Sequence, residues 1–173
     1  LHENSKKVNS VERLTRHLNK GIPKDAQKSY LAFVRTMVSN HPIIHIDDSD
    51  VIKPEGRKFE ALGLVRDGSK STNTKTVYEK GYHVTEACVL TGNNHPVSIF
   101  SRIHSSKEKN YTSTNSVTFS AMERGASLFG KATFVMDRGY DDNKMFLKLD
   151  ALKQDYVIRL KSNRKLFYHN KWV

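Results

Sequence analysis

Two rhythms run along this chain. In residues 11–38 the apolar positions return every three to four places: Val11, Leu14 and Leu18 in "VERLTRHLNKG", then Tyr30, Phe33, Val34, Met37 and Val38 in "IPKDAQKSYLAFVRTMVSN". That spacing gathers them on one side of a helix. Ser10 suits the N-cap of the first helix and Gly21 its end. From Pro42 the rhythm changes, and "PIIHID" is a β-favouring run that fits a buried strand.

The stretch that follows is rich in Gly, Lys, Ser and Thr, and its middle, residues 67–76, is the best candidate for a mobile loop. "YHVTEACVLTG" and "HPVSIFSRIHS" read as two strands joined at "GNNH" by a tight hairpin. "TSTNSVTFSAMERGASLFG" has a polar Ser/Thr start and predicts a helix with Val117, Met122 and Phe129 among its apolar positions. "KATFVMD" predicts a strand, "DDNKMFLKLDAL" a helix and "DYVIRLK" a last strand. The predicted fold is α/β: three strands at the start, antiparallel, then alternating helix and strand in a mixed sheet, behind an N-terminal helical lead-in. This order is similar to that of ribonuclease H-like domains. The predicted divisions are a lead-in over 1–40, a core over 41–161 and a further β region beginning at 162–173.

Charge adds a partner to this picture. The 173 residues carry 29 Lys+Arg against 18 Asp+Glu, a formal net charge of +11. With no apolar run long enough to span a bilayer and no basic amphipathic helix, nucleic acid is the expected anionic partner rather than membrane. A single cysteine, Cys88, excludes an internal disulfide framework and a multi-cysteine zinc site, and its strand-like surroundings suit a packed side chain. His41, His45, His83 and His95 lack metal-ligand spacing. No secretory signal opens the sequence. The chain starts at Leu1 and ends just after "FYHNKW", and a piece of a longer polypeptide is expected.

Against this basic background the acids stand out. "PIIHIDDSD" runs into Asp47, Asp48 and Asp50, and "ATFVMD" ends on Asp137. In α/β sheets ligands collect beyond the carboxyl ends of strands. Carboxylates that converge there repel one another unless a cation lies between them, and magnesium takes a few carboxylate oxygens together with phosphate oxygens. Acids at strand ends also arise from capping alone, and Asp141 or Asp142 is expected to cap the following helix.

Four segments, "IDDSDVIKPEGRKFEALGLVRDGS", "EKGYHVTEACVLTGNNHPVSIFSRIHSSKE", "FVMDRGYDDNKMF" and "DYVIRLKSNRKLFY", together resemble the catalytic domain of DDE transposases of bacterial insertion sequences, those carrying an inserted β region. The resemblance extends from Ser29 onward with its segments in family order. It implies a ribonuclease H-like domain in which two Asp and one Glu bind two divalent ions, Mg²⁺ or Mn²⁺, for DNA cleavage and strand transfer. Matching the family's Ile, acid, Asp, Ser pattern to Ile46, Asp47, Asp48 and Ser49 makes Asp48 the first metal ligand and catalytic acid. Asp50 shares its side-chain parity and remains the rival, whereas Asp47 points to the other face. The second acid maps onto Asp137, with Arg138 beside it as a phosphate contact. Arg159, Lys161 and Arg164 are the further candidates for DNA binding, although alternating cations also suit the wet face of an edge strand.

The departure from the family lies at the third acid. No glutamate follows Glu123, which itself precedes Asp137, so the family's Glu is expected outside this chain and the fragment alone is expected to be inactive. The resemblance further implies double-stranded DNA, both transposon ends and target, as partner, a homodimer in the full-length complex, and a bacterial cytoplasmic, nucleoid-associated location. His104 suits a hydrogen-bonded structural role beside the site, and Tyr168 and Trp172 suit packing as well as base stacking. Two competing readings are a DNA-binding or assembly remnant without chemistry, and a structure-specific nuclease, which needs a third nearby carboxylate in this chain.

Overall fold

A computed structural model describes residues 16 and 19–172. Most of the helix expected behind Ser10 lies outside the described residues; Arg16 and Asn19, which are described, are helical. The chain divides into two compact units with the boundary between Thr36 and Met37. In the first, Lys24–Thr36 forms α1, shorter than its apolar pattern suggested. Its buried positions are Leu31 and Val34, while Phe33 is 62% exposed. The expected stripe is therefore rotated: Met37 and Val38 fall past the helix end, and Leu31 takes the inward place.

The second unit is built on a sheet of six strands: β1 (Ile43–Ile52), β2 (Gly63–Arg66), β3 (Tyr78–Leu90), β4 (Pro96–His104), β5 (Thr133–Met136) and β6 (Asp155–Ile158). Their order is β2-β3-β1-β5-β6, with β4 also paired to β3. β1, β3 and β4 run antiparallel, whereas β1, β5 and β6 run parallel. Together with α2 (Thr114–Phe129) and α3 (Asn143–Ala151) this is the mixed, ribonuclease H-like architecture. β2 escaped the sequence reading because four residues between Gly-rich and Lys-rich stretches carry almost no periodic signal.

β1 differs from expectation in two respects. It alternates rather than being buried throughout, with Ile44 and Ile46 inside and Ile43 and His45 exposed. It also does not end at the acids: its pairing with β3 continues to Ile52, opposite Gly81. The first residues of the segment expected to be a mobile loop fold around Asp67. This buried carboxylate accepts from the Ser69 hydroxyl at 2.6 Å and from the amides of Ser69 and Lys70. The Ser69 hydrogen bond is the main cause of its lowered pKa.

Local chemistry sets the helix limits. Ser113 caps α2 by accepting from the Ser116 amide, and Gly130, at φ 75°, closes it with a bond from its amide to Ala126 O. α2 turns Val117, Ala121, Met122 and Gly125 inward. A Cβ on Gly125 would stand 2.8 Å from Ile44 Cδ1 and 3.0 Å from Phe134 Cζ, so this glycine is what lets α2 approach β1 and β5. Buried Gln154 then staples β5 to the end of α3. Its Oε1 accepts from the Ala132 amide at 2.9 Å while its Nε2 donates to the carbonyls of Gly130 and Leu152. A separate two-stranded hairpin, β7 (Phe167–Tyr168) with β8 (Lys171–Trp172), closes the chain.

Candidate active site

The site begins where β5 stops and β1 does not. In their parallel register the last paired residues are Ile46 and Met136, both buried. Beyond them β1 has lost its neighbour on the β5 side but keeps β3 on the other. Asp48 therefore lies in a strand with one open edge, directly opposite Thr85. The Thr85 hydroxyl donates to Asp48 Oδ1 at 2.5 Å and lies 2.9 Å from His104 Nε2. Two residues on, Asp50 faces His83, with Oδ1 at 2.6 Å from Nδ1. Asp48 and Asp50 share a face as the parity of an extended chain requires, but each already has its own partner on β3.

Asp47 is exposed and accepts from the Asp48 amide at 3.0 Å. Asp137 immediately follows β5 and caps a 3₁₀ turn, Arg138–Tyr140, by accepting from the Gly139 amide at 2.7 Å. A Cβ on Gly139 would meet Asp137 Oδ1 at 2.9 Å, so the tight turn fits only a bare backbone there unless the carboxylate moves. Tyr140, the last residue of that turn, folds back to be buried, and its hydroxyl makes no hydrogen bond of normal geometry. Burial, and then the charge of Asp48, followed by those of Asp47 and Asp137, push its pKa far upward. The parallel register of β1 and β5, whose last pair is Ile46 with Met136, sets Asp48 two residues beyond that pair on β1 and Asp137 one residue beyond it on the β5 side.

The neighbouring acids have other work. Asp142 caps α3 by accepting from the Lys144 amide, chiefly for which its pKa is lowered. Asp141 does not cap α3. It is 3% exposed, accepts from the Lys161 amide at 2.7 Å and forms an ion pair with Arg164. Arg164 also donates to Asn143 Oδ1 at 2.8 Å and lies over the Phe146 ring, so its Nε and Nη1 are both engaged within the fold. Lys161 Nζ reaches Asp141 O at 3.3 Å. Arg138 and Arg159 are exposed beside the turn; β6 ends at Ile158, so Arg159 and Lys161 follow the strand rather than lining its wet face.

His104 is fully buried, stacked on Tyr111 at 6.1 Å and tilted to His83 at 5.5 Å. Burial is the largest cause of its lowered pKa. An open cleft of about 600 Å³ adjoins the acids, lined by Asp50, Ile52, Arg66, Asp67, Gly68 and Ser69. Among the described residues no three His, Cys, Asp or Glu side chains come together as a metal-ligand set. Cys88 is half-buried and its pKa is raised, first by burial and then by Glu86.

The family described as Transposase DDE domain matches residues 39–171. The chain belongs to the DDE transposase family. A comparison with curated proteins found no match. Membership makes this a transposase sequence, concerned with DNA transposition and recombination, and accounts for the basic balance of a chain whose family works on DNA. The family generally depends on divalent metal, and two aspartates beyond adjacent parallel strands are the right type of donor for a hard, oxygen-seeking cation. No helix among the described residues of this DDE transposase is long and apolar enough to cross a membrane.

The sequence could not reveal Thr85, Tyr140 or Asp141 as parts of the site. Thr85 lies 37 residues from Asp48, and only the β1–β3 register joins them. Tyr140 and Asp141 sit in "DRGYDD", where charge draws the eye to the flanking acids and away from the one that is buried.

Proposed function

We propose that Asp48 and Asp137 are the catalytic, metal-holding acids of a DNA transposase that cleaves phosphodiesters at transposon ends and joins the freed ends to target DNA. The observation that carries this reading is the parallel pairing of β1 with β5, which ends at Ile46 and Met136 and so puts Asp48 and Asp137 just past the end of two adjacent strands. The two aspartates would hold Mg²⁺ or Mn²⁺, two ions in the complete site. Such ions, when bound, supply charge stabilisation for the transferring phosphoryl group and activate the attacking water or 3′-hydroxyl. Asp50, committed to His83, is the weaker claimant for the first position.

The chain's own residues provide placement. The Gly139 amide holds Asp137, and Thr85 holds Asp48, so neither carboxylate must be ordered anew when DNA arrives. Arg138, Arg159 and Lys161 would contact phosphates of double-stranded DNA, with Arg164 contributing chiefly by bracing that turn against Asp141. Residues 1–40 serve as a lead-in, 41–161 as the incomplete catalytic core, and 162–173 begin an inserted β region. The third acid, a Glu, comes from outside these residues, and the 173-residue chain alone is inactive. The complete protein works as a homodimer on DNA in the bacterial cytoplasm, associated with the nucleoid.

The test is end cleavage with Mg²⁺ by the full-length protein carrying Asp48→Asn or Asp137→Asn. Each should lose about 10³-fold or more, on the order of 4 kcal/mol of transition-state stabilisation. Wild-type cleavage by either variant refutes the assignment. The lack of a three-ligand cluster among the described residues favours one rival, a DNA-binding remnant without chemistry. That rival binds DNA with strong salt dependence but takes up no manganese at the aspartates.

A further inference from the structure

The sheet sets a line of polar side chains leading from the core to Asp48. Thr85 is directly opposite Asp48 across β1 and β3, and His104, opposite His83 across β3 and β4, is one diagonal step from Thr85. Thr85 and His104 are both 0% exposed. Burying a hydroxyl and an imidazole is costly unless each is hydrogen-bonded, and an apolar pair would fill the same space more cheaply. The group that gains from their presence is the aspartate at the end of the line.

The chemistry of the three groups dictates the direction of the hydrogen bonds. A carboxylate only accepts, so the Thr85 hydroxyl donates to Asp48 Oδ1, at 2.5 Å. The hydroxyl oxygen then accepts from His104 Nε2–H, at 2.9 Å. His104 is accordingly the neutral tautomer protonated on Nε2, with its lone pair on Nδ1. That nitrogen is buried without a hydrogen-bond partner, the one polar atom left unsatisfied by this orientation of the ring. Tyr111 stacked at 6.1 Å and His83 at 5.5 Å keep the ring from turning.

We infer that Thr85 and His104 are positioning residues for Asp48: they fix Oδ1 by a directed relay and leave Oδ2 as the oxygen offered to a divalent cation. The inference rests on the reading of Asp48 as a metal ligand and adds the residues that aim it. Partners that orient a metal ligand from behind typically change metal affinity by about 10–100-fold when removed. Neither residue touches DNA or the reacting atoms, so neither is a catalytic residue.

The experiment uses NMR of the full-length protein titrated with MnCl₂, following paramagnetic broadening of amides around Asp48 and Asp137, together with ¹⁵N spectra of the imidazoles. In the unmutated protein His104 should carry its proton on Nε2; a proton on Nδ1 overturns the inference without any mutation. Thr85→Val and His104→Phe should each weaken Mn²⁺ binding about tenfold or more, while Thr85→Ser stays within about twofold of wild type. Asp48→Asn separates the two levels of argument. If Asp48→Asn binds Mn²⁺ as the wild type does, or the wild type shows no site-specific broadening, the metal reading fails and the inference with it. If Asp48→Asn loses the ion but Thr85→Val keeps it, the metal reading stands and the relay is refuted.

Discussion

A glycine in α2 packs against both acid-bearing strands, and substituting it gives a quantitative test. Gly125 is buried within α2, where its missing Cβ makes room for Ile44 Cδ1 and the Phe134 ring, both side chains fully buried. In Gly125→Ala the added carbon would begin 2.8 Å from Ile44 Cδ1 and 3.0 and 3.2 Å from Phe134 Cζ and Cε1. Carbon pairs prefer about 3.5–4.0 Å, so helix or side chains must give by several tenths of an ångström. Alanine gains about 1 kcal/mol over glycine in a helix interior, and overpacking costs about 1–3 kcal/mol. The expected net change is therefore a loss of about 1 kcal/mol, not a gain. Ile44→Val removes the closest methyl at a cost of about 0.5–1.5 kcal/mol when made alone. Combined with Gly125→Ala it should cost less than the sum of the two, with a coupling of about 1 kcal/mol. Urea unfolding followed by circular dichroism gives all four corners of the cycle. A more stable Gly125→Ala protein, or strictly additive costs, would refute the claim that α2 is fitted to β1 and β5 at this glycine.

Two further predictions concern the site itself. Gly139→Ala places a Cβ 2.9 Å from Asp137 Oδ1, and because the obstructing atom is the end of a side chain, stability should change by no more than about 1 kcal/mol, whereas end cleavage by the full-length protein should fall by about 10²-fold through the displaced carboxylate; full activity would show that Asp137 is not held there for chemistry. His104 has a folded-state pKa below its ordinary 6.5, first because of burial and then because of His83, while Asp48 and Glu108 oppose the shift and Arg102 adds to it. As pH falls below about 6.5 the unfolded chain binds a proton that folded His104 refuses, so this contribution to stability, complete above that pH, declines at up to about 1.4 kcal/mol per pH unit. His104→Phe should remove that part of the slope in pH-dependent denaturation, and unchanged slopes would contradict it.

Much of the fold was legible because its strands and helices carry strong local patterns. "YHVTEACVLTG" and "HPVSIFSRIHS" alternate and flank a turn whose Asn94 adopts φ 60°, and Ser113 and Gly130 bracket α2 with the caps their types favour. What was not legible depends on pairing at a distance. β1 could not be seen to continue through Asp47, Asp48 and Asp50, since three acids in a row of four argue locally against a strand; β3, thirteen residues long, overrides that preference by pairing with the strand to its end. The same cause hid Thr85 behind Asp48. The apolar stripe of α1 was misplaced for a different reason: Phe33 is apolar enough to suggest burial, yet large exposed apolar residues are ordinary and burial follows the neighbours, not the residue alone.

The continuation of β1 past its acids also explains how an aspartate can be held accurately in so polar a stretch. A slip of one residue between β1 and β3 would turn Asp48 to the face now occupied by Asp47 and place Ser49 or Asp47 opposite Thr85. The polar run alone offers little to prevent this, because neither its Asp nor its Ser residues prefer one face strongly. The register is pinned at both ends instead. Ile44 and Ile46 are buried on one side of the acids. On the other, Ile52 pairs with Gly81, where a Cβ would stand 2.4 Å from Val51 O and 2.5 Å from Val65 Cγ2, a space that only glycine fills. A residue with a side chain cannot enter that space, so a shifted β3 would bring Lys80 or Tyr82 into collision with the backbone of β1. Asp48 therefore owes its position to apolar and glycine contacts outside the acidic cluster, which is why charge could be concentrated in a strand without loosening it.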